Sequence, residues 1–218
     1  MKNQIELCEK DFIIMRLWQY SRSYSQLLID CEELIVIGKG RASIELLFNT
    51  MEHLLKSVAC DYDSPFNKVA KKLYDNQKLT DVEFDFVSDG NTSLRKIRNK
   101  FAHANLDYIN IAFKNDKSDI YPLTEETTCI KLYNTISPII FNLFLKLVDN
   151  SYATINLQAE IISLGLELIE LTLEQLALYK GFPAKFIEEL DGPIEEKVRL
   201  IGNSSDINMV AMIAQKLK

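Results

Sequence analysis

A chain of 218 residues with 47% hydrophobic and 26% charged residues has the make-up of a folded protein rather than a disordered one, and its length suits one domain plus an extension. Its net charge of −6 argues against coating nucleic acid through bulk electrostatics and leaves room only for a local basic site. Seven glycines and five prolines are too few for the hairpins of a large sheet and favour helices joined by short turns.

Apolar spacing predicts a first helix over residues 5–20, with Ile13, Ile14, Leu17 and Trp18 on one face. A second runs over 23–36 and stops at the breaker Gly38-Lys39-Gly40. That glycine pair, followed by Arg41, lacks the full phosphate-loop pattern and a preceding strand. The third helix, 41–59, has the clearest period: Ile44, Leu47, Phe48, Met51, Leu55 and Val58 face inward. Arg41, Glu45, Asn49, Glu52, His53 and Lys56 form an opposite polar stripe. Ser64-Pro65 opens a helix that carries Val69 and Leu73 inward and ends near residue 76.

Residues 79–88 fit short helical turns, or a strand through Val82, Phe84 and Phe86; helix is favoured because a lone strand has no evident partner. A turn over 89–93 supplies caps for a helix over 94–103, and 104–119 reads as an irregular loop. A long helix follows from 124–126 to 148, with Pro138 expected to bend it. Asp149-Asn150-Ser151 is the linker, dividing a helical domain, 1–150, from a C-terminal helical extension, 151–218. In the extension a long helix over 155–180 ends at Gly181, and shorter helices follow over 184–190, 193–201 and 206–217. The fold class is all-α. The extension has nearly balanced charge and no basic recognition helix, so it is not read as a DNA-binding module.

Cys8, Cys31, Cys60 and Cys129 are far apart and form no CxxC pair, which points to buried reduced thiols rather than a disulfide framework or zinc site. The first residues lack the basic-then-apolar order of a signal peptide. The most apolar run, 132–148, is interrupted by Asn134, Ser137, Pro138, Asn142 and Lys146 and reads as a core helix. A cytoplasmic protein that does not enter a membrane is expected. His53 and His103 are the two histidines, with no carboxylate cluster beside them, so neither a metal site nor a cofactor is expected. His53 reads as a surface or interface residue, and Phe12, Trp18, Tyr20 and Tyr24 as core or dimer packing.

Within residues 65–105 eight lysines and arginines face five acids, a net-positive segment in an acidic chain. Inside it lies Arg98-Asn99-Lys100-Phe101-Ala102-His103. Leu94, Ile97 and Phe101 share the inward face of this helix, and Arg95, Asn99 and His103 form a stripe at i, i+4 and i+8. Arg98 and His103 project about 140° apart on an ideal helix. They need not touch within one chain; a helix end that frays at His103, or a second copy packed across a two-fold axis, would bring them to a common cleft. By spacing alone the set is a polar helix face with a histidine at the C-terminal end, where the helix dipole favours a cation.

The run SLRKIRNKFAHAN resembles the Arg-x4–6-His signature of the HEPN superfamily, with a polar residue, Asn99, directly after the arginine. In style it is closest to the mannitol-operon-repressor-like and toxin or defence branches. The resemblance covers about ten residues as sequence and residues 30–148 as architecture, including the long helix with Glu45 and Asn49 on its polar stripe. It implies a helical bundle that forms a homodimer with the motif helices facing one another. Many members of that superfamily are metal-independent endoribonucleases of toxin–antitoxin or antiviral systems, and others are inactive binding or regulatory modules. The resemblance implies the first role for this chain if the motif is active. His103 would then be general acid/base for attack of a 2′-hydroxyl on the adjacent phosphodiester, a task suited to imidazole. Arg98 would bind the phosphate, Asn99 would orient histidine or phosphate, and Arg95, Lys96 and Lys100 would guide RNA. Glu45 and Asn49 would support from the second helix.

One departure concerns regulation. Branches silenced by modifying a tyrosine two residues after the histidine have no counterpart here, because that position is Asn105. The alternative is a non-catalytic helical regulator or antitoxin-like module, for which the motif is an interface element and the partner another protein.

Overall fold

The structure, a computed structural model, describes residues 7–103, 106, 109–113, 121–182, 192, 193 and 197. Helices dominate these residues. Helix α1 (Lys10–Tyr20) and α2 (Arg22–Val36) meet at Ser21, an extended residue serving both. Its amide donates to the Leu17 carbonyl, and its hydroxyl accepts from the Tyr24 amide at the start of α2. One residue thus caps two helices and reverses the chain. The start expected for the first helix falls partly in residues 1–6, outside the described part, and residues 7–9 are not helical.

Helix α3 (Gly40–Ala59) begins at a close crossing with α7 (Glu126–Val148). A Cβ on Gly40 would lie 2.6 Å from the Ile130 amide nitrogen and 2.7 Å from the Glu126 carbonyl, so only glycine fits. The Glu126 carboxylate accepts from the Arg41 amide at 2.9 Å and caps α3 from the neighbouring helix. Fourteen of the 23 residues of α7 are buried, which makes it the central helix. Its apolar run lies inside protein, packed against α1 and α3. Among the described residues, no helix is long and apolar enough to cross a membrane. Pro138 sits inside α7 without ending it.

Helix α4 (Phe66–Asp75) buries Phe66, Val69, Ala70 and Leu73. The ambiguous stretch that follows is helical: α5 (Asp81–Phe84) starts with a Thr80/Glu83 capping box and continues into a π-helical turn, Asp85–Asp89. Helix α6 (Leu94–His103) carries the motif.

Two expectations are corrected. The loop expected over 104–119 contains strand β1 (Ile109–Ala112), all four residues of which are buried. The single helix expected over 155–180 is α8 (Gln158–Leu164), strand β3 (Glu167–Glu170) and α9 (Leu173–Tyr179). Gly165 ends α8 in the left-handed region at φ 48°, and a Thr172/Gln175 capping box starts α9. Strand β2 (Tyr121–Pro122) completes an antiparallel sheet ordered β2-β1-β3, with Asn110 opposite both Pro122 and Ile169. The β1–β3 ladder crosses the linker near Asn150, so residues on either side of it share one sheet. The helices expected over 184–190 and 206–217, and most of that over 193–201, lie outside the described residues.

Candidate functional site

Helix α6 is set by its two ends and its apolar face. The Ser93 hydroxyl accepts from the Lys96 amide at the start of the helix and donates to the Ser88 carbonyl in the π turn. Leu94, Ile97 and Phe101 are buried. Phe101 meets Phe48 of α3 edge-to-face at 6.0 Å. One turn further along α3 and one turn back along α6, Glu52 reaches Arg98. The Arg98 Nη2 donates to Glu52 Oε2 at 2.7 Å, and Lys56 approaches Glu52 Oε1 at 3.0 Å. Glu52 thus bridges two cations, with side-chain exposures of 16% for Glu52, 18% for Lys56 and 32% for Arg98. A pair this sheltered is less screened than a surface ion pair and fixes the guanidinium.

Asn99 accepts from Arg98 Nη1 at 3.4 Å, so these two motif residues are in contact. His103 is the last residue of α6 and exposed. The helix does not fray before it, and Arg98 and His103 leave the axis about 140° apart. Within one protomer they face different sides. Among the described residues the His103 side chain has no hydrogen-bond or ion-pair partner.

The expected RNA-guiding residues diverge. Arg95 turns to the Ser88 carbonyl, to which its Nε donates at 3.0 Å. Lys100 pairs with Glu170 of β3. Lys96 is half-buried. Of the second-helix residues, Glu45 pairs with Arg41 at 3.1 Å and Asn49 is exposed. Glu52, on the same polar stripe, is the residue that touches the motif. His53 is exposed, with its carbonyl accepting from the Tyr24 hydroxyl.

The recess between Phe48, Met51, Glu52, Phe66, Arg95 and Arg98 has no room for a water molecule. An anion would therefore meet Arg98 from the solvent side. Among the described residues no cluster of three His, Cys, Asp or Glu side chains could hold a metal ion. The four cysteines are free. Cys31 and Cys129 are buried, and burial pushes both thiols up to about 12, which leaves them unreactive. Cys60, contrary to expectation, is exposed.

Compared with family models, curated proteins and solved structures, the chain matches none.

Proposed function

We propose that the chain is a HEPN-type, metal-independent endoribonuclease that works as a homodimer in the cytoplasm, in the role of a toxin or defence effector. The observation that carries this reading is the state of the motif helix: a half-exposed Arg98, fixed by Glu52 and Asn99, on a helix that ends in an exposed His103. Arg98 is positioned for an anion arriving from solvent, and the resemblance of the motif supplies the reaction. The His103 imidazole takes the proton from a 2′-hydroxyl, the 2′-oxygen bonds to phosphorus, and the bond to the 5′-oxygen breaks, with a proton delivered to that leaving group. Arg98 stabilises the extra charge on the phosphoryl oxygens. Because one protomer points the two groups apart, the arginine and the histidine of one site come from different subunits.

Purified protein incubated with RNA in EDTA is expected to yield 2′,3′-cyclic phosphate ends. His103→Ala and Arg98→Ala are each expected to lower the rate at least about 100-fold. Equal cleavage by all three proteins would remove the catalytic claim.

A specific observation favours the second reading, a non-catalytic helical regulator or antitoxin-like module. The Arg98 guanidinium already has a carboxylate partner in Glu52, so the ion pair can serve packing alone. A stable protein complex with no RNA cleavage would identify that case.

A further inference from the structure

Helix α6 also forms one wall of an open groove that the motif does not use. α4, the π turn and α6 enclose a cleft of about 470 Å³ whose walls carry Lys68, Lys71, Lys72 and Arg95 against Asp75 and Asp89. Pairing matters more than the count. Lys71 is taken by Asp75 at 2.8 Å, Lys72 forms only a loose ion pair with Asp61 at 3.8 Å, beyond hydrogen-bond range, and Lys68 has no ion-pair partner among the described residues.

Arg95 is anchored from behind through its Nε, and its two terminal nitrogens have no acceptor among the described residues. A guanidinium fixed by one edge, with donors open on the other, suits a phosphate. The anchor depends on the π turn, closed by the bond from the Gly90 amide to the Asp85 carbonyl at 2.8 Å. A Cβ on Gly90 would lie 2.6 Å from that carbonyl oxygen, so the turn needs glycine. Such π turns recur at functional sites. Phe84, stacked on Tyr74 at 4.8 Å, adds an aromatic wall beside the cations. Arg95 borders both this groove and the recess holding Arg98 and Glu52, so the two surfaces are continuous along α6.

We propose that this groove carries the backbone of single-stranded RNA toward the motif, with Lys68, Lys72 and Arg95 on its phosphates and Phe84 offered to a base. The combination of cations and an aromatic face is that of a single-strand binder. The inference rests on the endoribonuclease reading, because it names how that site receives its substrate.

The test separates binding from cleavage. Binding is read by anisotropy on a labelled 2′-O-methyl oligouridylate, which has no 2′-hydroxyl to react. Lys68→Gln/Lys72→Gln is expected to weaken it at least about tenfold and to lower the slope of log affinity against log salt by about 1.4, two contacts at about 0.7 each. Arg22→Gln/Lys39→Gln, which removes two charges elsewhere, is expected to bind as wild type. Unchanged affinity of the groove variant at an unchanged melting temperature would overturn the proposal, as would equal weakening by the control variant. Cleavage of a dinucleotide, which offers a single phosphate, is expected to persist in the groove variant and to vanish in His103→Ala. No dinucleotide cleavage by the wild type would sink the endoribonuclease reading while leaving the binding result to stand or fall separately.

Discussion

Glu52 decides how Arg98 is presented. Its carboxylate holds the guanidinium at 2.7 Å and Lys56 at 3.0 Å, so it orients the arginine and also competes with any arriving phosphate. Glu52→Gln keeps a carbonyl acceptor and removes the charge. It is expected to lower stability by about 1–2 kcal/mol and to tighten binding of an uncleavable RNA by about two- to tenfold, because the competing anion is gone. Urea denaturation and an RNA titration read the two effects; weaker RNA binding would mean that orientation outweighs competition. The polar stripe of α3 is legible in the sequence because its three-to-four-residue period is local. Which member meets Arg98 is not, because that depends on how α3 crosses α6 through Phe48 and Phe101. Asn49 and Glu45, one and two turns earlier, fit the stripe equally well, and among the described residues neither forms a hydrogen bond or ion pair with the motif.

At the scale of elements, the helices with a strong apolar period, α3, α4 and α6, fall close to where the sequence puts them, since a buried stripe and a cap are both local signals. The strands escape such reading. Glu167-Leu168-Ile169-Glu170 continues the apolar spacing of α8, and only the left-handed Gly165 and pairing with β1, more than fifty residues earlier, make it a strand. The short α5 is held from afar as well: Glu83, 1% exposed, receives Lys146 of α7 on both oxygens at 2.7 Å while closing the cap with Thr80. Glu83→Gln strands a lysine that is 10% exposed and is expected to cost about 3–5 kcal/mol. The double variant Glu83→Leu/Lys146→Met is expected to regain most of that loss, since no unpaired charge then remains buried. Urea midpoints measure both, and a single variant within about 0.5 kcal/mol of wild type would contradict the pairing.

For the molecule as a whole, the charge is divided: a net −6 chain keeps a cationic groove and motif along one helix, so RNA binding is expected to fall steeply with salt. The β1–β3 ladder and the contact of Lys100 with Glu170 tie the segment after Asn150 to the motif helix. What the single chain leaves unjoined is Arg98 and His103, on a helix unbroken between them. The proposed site therefore needs two subunits, and mixing two inactive variants tests it most directly. After Arg98→Ala and His103→Ala proteins are unfolded and refolded together, half of the dimers are mixed and each holds one complete site of two. The expected rate is about a quarter of the wild-type rate, from two proteins that are each inactive alone. A mixture as inactive as its parents, beside a wild type that cleaves RNA and runs as a dimer, would contradict a site shared between subunits.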